Sequence, residues 1–159
     1  MGNNSFRTRL HRLLEAGAWL VWLAALLTGV YGVCTLPEEI ITHYAWDGTP
    51  DGYGSPAVLL LLPLLMLPAL GIISLVAHRV DPALWNTPFV VREERKALVY
   101  ADMAALLHAV QLEIAVYALY TQISVYRQHS VSLAVLALWT AALAATILGS
   151  CVRAYRHNR

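Results

Sequence analysis

Long apolar runs alternate along the chain with short polar stretches, and four of the runs reach the length of a membrane crossing. A hydrocarbon core about 30 Å thick needs roughly 20 apolar residues of helix. Segments 16–36, 56–77, 102–124 and 131–152 meet that length. The pattern predicts an all-α polytopic membrane protein with four transmembrane helices, forming one domain over 1–159. Loops at 37–55 and 78–101 and a short turn near 125–130 join the helices. The second run reads LLLLPLLMLP, and Pro63 and Pro68 each remove a backbone donor, so a bend is expected there.

Positive charge gives these spans a direction. Arg7, Arg9 and Arg12 precede the first span, Arg79, Arg92, Arg95 and Lys96 lie in the 78–101 connection, and Arg153, Arg156 and Arg159 follow the last. Loop 37–55 has no lysine or arginine, and the 125–130 turn has only Arg127. This bias predicts that both termini and loop 78–101 are cytoplasmic and that loop 37–55 faces outward. Treating the third run as soluble puts basic clusters on both faces, which disfavours a three-span arrangement. Tyr31, Tyr44, Trp46, Tyr53, Tyr100, Tyr126 and Tyr155 fall near span ends, where amphipathic rings favour the headgroup layer. The first run follows three arginines as a signal peptide does, but it is long enough to span and lacks a small-x-small cleavage site, so we expect a retained helix.

Composition agrees with a bilayer as solvent. Hydrophobic residues make up 58% of the chain and charged residues 13%, with a mean hydropathy of +0.56. A soluble domain needs more charge than this to cover its surface. The net charge of +1 offers no dedicated basic surface, so a nucleic-acid partner is excluded. Cys34 and Cys151 fall near opposite faces of the predicted bundle, too far apart for a disulfide.

The outer loop carries the most unusual sequence, THYAWDGTPDGYGS over 42–55. Asp47-Gly48, Thr49-Pro50 and Asp51-Gly52 are turn chemistry, and two tight turns in succession are expected to fold the loop against the membrane surface. His43, Asp47 and Asp51 recur every four residues, but Gly48, Pro50 and Gly52 oppose a helix that would align them. One histidine without a second nitrogen or sulfur ligand is weak for zinc, and the spacing is not that of a calcium loop. We therefore expect no metal and no cofactor. A surface role is the alternative to a purely structural turn, with His43, Tyr44, Trp46, Asp47, Asp51 and Tyr53 as candidate binding residues for a partner.

Residues 36–65, LPEEIITHYAWDGTPDGYGSPAVLLLLPLL, resemble a small bacterial membrane domain known as domain of unknown function 1648, which also forms the amino-terminal part of SdpI-type immunity proteins. The resemblance falls on Pro37, Ile41, His43, Tyr44, Gly48, Pro50, Asp51, Gly52, Tyr53 and Pro63. Many members carry a lysine where this chain has Pro56. A softer likeness lies in LEIAVYALYTQ of the third span, extending the resemblance to about 36–124. It implies a bacterial cytoplasmic membrane and, for the SdpI-type relatives, immunity to a membrane-active toxin or a part in signalling.

The third span also presents an intramembrane polar set: His108, Gln111, Glu113 and Gln122. An ionised group at mid-bilayer costs about 2.5–3.5 kcal/mol on insertion scales, so Glu113 needs a partner or a proton. His108 and Gln111, three apart, share a helix face, whereas Glu113 lies about 140° around from His108. Thr28, Ser74, Thr140 and Thr146 are the candidate partners for Glu113, and none is basic. Such groups commonly join helices, and a ligand or proton site is the sharper alternative.

No phosphate loop, nucleophile elbow or paired zinc motif is present. The leading expectation is a non-enzymatic membrane module in contact with the lipid bilayer. It binds a partner protein or a membrane-active toxin, or pairs with further copies of itself, in an immunity, accessory or sensory role. A second expectation is an oligomeric transport or channel component with Glu113 and His108 along the path. A third is a membrane enzyme subunit using His43, Asp47 and Asp51 at the outer interface.

Overall fold

A computed structural model describes residues 6–159. Four long helices, α1 (Arg9–Thr35), α2 (Leu61–Arg79), α3 (Lys96–Tyr126) and α4 (Leu133–His157), are each apolar and long enough to cross a membrane. The four spans read from the sequence are thus all helical. Helix α1 starts well before its apolar run because Thr8 caps it: the Thr8 N–H donates to Nδ1 of His11, three residues on.

Helix α3 is the axis of the fold, packing against α1, α2 and α4. Its buried face carries Ala104, His108, Gln111, Ala115, Ala118 and Gln122, at spacings of three and four. The face that α1 buries is equally small, with Ala18, Ala25, Gly29 and Gly32. Lipid chains supply no hydrophobic drive between helices, so close backbone approach over small residues does the packing. Met66 and Leu70 of α2 complete that cluster against Ala18, Ala115 and Ala118. Helix α4 buries only Ser150 and Ala154 and leaves Leu133, Leu138, Leu148 and Val152 exposed on its outer side.

Two features correct the sequence reading. The fold is mostly helical as expected, but the loop after α1 is a two-stranded antiparallel hairpin, β1 (Ile40–Tyr44) and β2 (Pro50–Gly54). Only the first Asp-Gly pair makes a turn; the second lies within β2. The β-branched and aromatic run IITHY suits a strand, and pairing satisfies backbone groups that a pair of isolated turns leaves open.

The prolines of α2 also fall differently from expectation. A 3₁₀ segment, Pro56–Leu60, leads into α2, which puts Pro63 in the first turn of α2, where proline is best tolerated. Only Pro68 is interior. The Leu59 carbonyl, four residues before Pro63, instead accepts a hydrogen bond from Nε2 of Gln122 on α3 at 2.6 Å. Membrane helices tolerate proline when a neighbour serves the freed carbonyl in this way.

Candidate functional sites at the two ends of the bundle

The hairpin stands at the end of the bundle where α1 finishes. Its turn closes with the Gly48 N–H donating to the Ala45 carbonyl at 2.9 Å and the Ala45 N–H donating to that of Thr49 at 2.8 Å. Gly48 has φ +86°, a conformation that costs glycine nothing. Oδ1 of Asp47 accepts from both the amide and the hydroxyl of Thr49, at 3.0 and 2.7 Å. The Thr49 hydroxyl and amide hold the Asp47 carboxyl below its ordinary pKa.

Across the strands His43 faces Gly52, where a Cβ would sit 2.8 Å from that of His43, so a side chain there forces the strands apart. The His43 ring pairs with the Asp51 carboxylate through Nδ1 and Oδ1. Oδ1 of Asp47 is taken by Thr49, whereas His43 pairs with Asp51.

The hairpin is pinned to the α3–α4 connection. Helix α3 ends with the His129 N–H donating to the Ser124 carbonyl and the Gln128 N–H to that of Val125. This is a Schellman closure with Gln128 at φ +57°, where glycine is usual. The Gln128 side chain uses that position twice: Oε1 accepts from the Ile41 N–H at 2.6 Å, and Nε2 donates to the Val125 carbonyl at 2.7 Å. Ile40 is buried beneath the hairpin. Trp46 at the tip is 94% exposed and Tyr53 is 61% exposed. Tyr44 is set apart from these two: its hydroxyl is buried without a partner among the described residues, and burial raises its pKa.

The polar residues of α3 are separated into three places. Gln122 serves Leu59, as above, and lies against Gly29 of α1, where an added Cβ would meet Gln122 Nε2 and the Leu59 carbonyl at 2.8 Å each. Glu113 faces α4, where Oε1 accepts from the Thr146 hydroxyl at 2.5 Å, one of the four partners expected from sequence. Trp139 of α4 donates from Nε1 to the Glu113 carbonyl at 3.0 Å and stacks on Tyr117 at 4.4 Å between ring centroids. His108 and Gln111 face α2 together, with Nδ1 of His108 3.1 Å from Oε1 of Gln111. Gln111 Nε2 donates to the Leu70 carbonyl at 3.0 Å and to the Ser74 hydroxyl at 2.9 Å.

Around His108, at the end where α1 begins, is a cluster that the sequence reading did not assemble. Glu15 of α1, His78 of α2 and His108 each offer a ligand atom within 4.8 Å of the other two. Nε2 of His78 lies 2.8 and 2.9 Å from the two Glu15 carboxylate oxygens. The Arg7 guanidinium contacts both ring nitrogens of His78 and lies 3.6 Å from Glu15. The buried His11 ring packs beside His108, at 6.2 Å between centroids. Nearby, Asp102 bridges α3 to α4 through Arg153 at 3.1 Å and His157 at 2.6 Å.

Residues 20–67 match the family described as Domain of unknown function (DUF1648). Over that stretch the chain is similar to this family. Neither a curated protein nor a solved structure matches it. The DUF1648 match takes in most of α1, the whole hairpin and the start of α2, and ends before α3. The segment LEIAVYALYTQ lies outside it. Of the cluster residues, none of Glu15, His78 and His108 falls within the matched stretch.

Proposed function

We propose that this chain is a non-enzymatic multi-pass module of a bacterial cytoplasmic membrane, with both termini in the cytoplasm, that captures a protein partner or membrane-active toxin on its outward hairpin. The observation that carries this reading is Trp46, almost fully exposed at the tip of a pinned hairpin. Large rings on a rigid support give contact area at low ordering cost, which is why aromatic residues dominate binding hot spots. Tyr53 adds a second exposed ring on the adjoining strand, and an immunity role of the SdpI kind fits such a surface. The arginine distribution supports the orientation.

The transport reading has less support, because His108 faces α2 and Glu113 faces α4. The interfacial enzyme reading has less support, because Oδ1 of Asp47 holds Thr49 while His43 pairs with Asp51. A photoreactive residue in place of Trp46, activated in intact cells, tests the proposal. A discrete protein adduct that disappears with Tyr53→Ala is expected. Adducts to lipid alone, or modification of position 46 from the cytoplasmic side only, overturn it.

A further inference from the structure

The cluster at the opposite end of the bundle has a chemistry of its own, independent of the hairpin. The Leu70 carbonyl can only accept, so the Gln111 atom facing it is the amide nitrogen, and the Gln111 atom facing His108 is the carbonyl oxygen. His108 therefore carries its proton on Nδ1. That leaves Nε2 as a bare lone pair, and this atom is buried in a fully buried ring without a hydrogen-bond partner among the described residues. A buried acceptor with nothing to accept is costly and calls for a ligand. An imidazole whose outer N–H is held by a fixed acceptor, with the inner nitrogen free, is how histidine is presented to a metal ion.

The other two groups complete a donor set. His78 and Glu15 come from two further helices, and their side chains are 33% and 17% exposed, so the cluster is reachable from the bundle end. Two imidazoles and one carboxylate suit zinc, with one position open to water. Zinc bonds of about 2.0–2.1 Å put tetrahedral donors about 3.4 Å apart. The observed ligand atoms lie within 4.8 Å, a difference that small side-chain rotations close. At present one nitrogen is contested: Nε2 of His78 faces the carboxylate, which requires a proton there, and Nη2 of Arg7 at 2.7 Å, which requires a lone pair. Arg7 sits outside α1 on non-helical backbone, so its guanidinium can move away without disturbing the helix.

We propose that Glu15, His78 and His108 form a binding site for a divalent transition-metal ion of the zinc type, with the Arg7 guanidinium as the competing cation. The Gln111 amide is the positioning residue, holding the His108 tautomer while anchored on Leu70 and Ser74.

The full-length chain in detergent, stripped with chelator and then equilibrated with zinc or with cobalt as a spectroscopic substitute, tests this. One equivalent of zinc per chain after gel filtration is expected, with the intense visible absorption of four-coordinate cobalt. His78→Ala and Glu15→Gln, at the more exposed positions, should each weaken binding by about 10-fold or more, and Gln111→Leu by about 10–100-fold, with helix content checked by circular dichroism. Arg7→Ala should tighten zinc binding, and His43→Ala in the hairpin should leave it unchanged. Substoichiometric zinc in the wild type, a six-coordinate cobalt spectrum, or undiminished binding in folded His78→Ala and Glu15→Gln overturns the site.

Discussion

Gln122 illustrates how much one side chain decides when the solvent is lipid. Its amide serves the Leu59 carbonyl, which proline at 63 leaves without a donor, and Gly29 provides the room. Gln122→Leu keeps the bulk and removes the donor, so a loss of about 1–3 kcal/mol is expected in reversible unfolding from mild detergent. Gly29→Ala should also destabilise, since its Cβ collides with backbone as well as with a side chain. Glu113 behaves differently. Its contact with Thr146 needs only an acceptor oxygen, so Glu113→Gln should leave α3–α4 packing intact, as judged by the thermal midpoint. Thr146→Val, which removes the donor, should cost about 0.5–1.5 kcal/mol. The sequence named both Glu113 and Thr146 because a charged residue in an apolar run needs a partner; it could not choose among four hydroxyls, a choice made by the rotation of α4.

Among the elements, the hairpin is where pattern reading fell short. The signal was present, since Asp-Gly after a β-branched run is a hairpin mark. A second Asp-Gly four residues on carries the same mark, and two such marks in succession look like consecutive turns. In the fold Gly52 is there for another reason, to let His43 lie directly across from it. The Asp47 turn has a defined pH response. Its carboxyl titrates below the ordinary value of 3.8, so its support for the turn is complete above that pH and fades as pH falls through the lowered value. The protection factor of the Thr49 amide, its exchange rate relative to the intrinsic rate at the same pH, should therefore fall in acid, and Asp47→Ala should show the low protection already at neutral pH. At the other end of the bundle, Glu15, His78 and His108 lie far apart in sequence, and Glu15 and His78 flank their spans, where isolated polar residues are ordinary. No local spacing linked them, and only the meeting of three helices does.

For the molecule as a whole, the four spans were legible because lipid imposes a length and an apolar composition on every crossing, whereas which helix sits at the centre was not. Small residues on α1 and α3 carried that information, but alanine is common in any span. Asp102 fastens the end of α4 to this centre, and its partners Arg153 and His157 are about half exposed. Water screens such pairs, so Asp102→Asn should cost about 1 kcal/mol or less and show mainly as faster amide exchange near the end of α4. The central place of α3 also bears on how the chain is made. The ribosome delivers α1 and α2 first, and Gln122 emerges 63 residues after the carbonyl it serves. At about 5–20 residues per second, the newborn first pair of helices waits several seconds with the Leu59 carbonyl lacking its Gln122 donor. During that interval the unfinished protein is a natural client for whatever insertase or quality-control factor recognises exposed polarity in lipid, and a chain halted before α3 should be cleared rapidly.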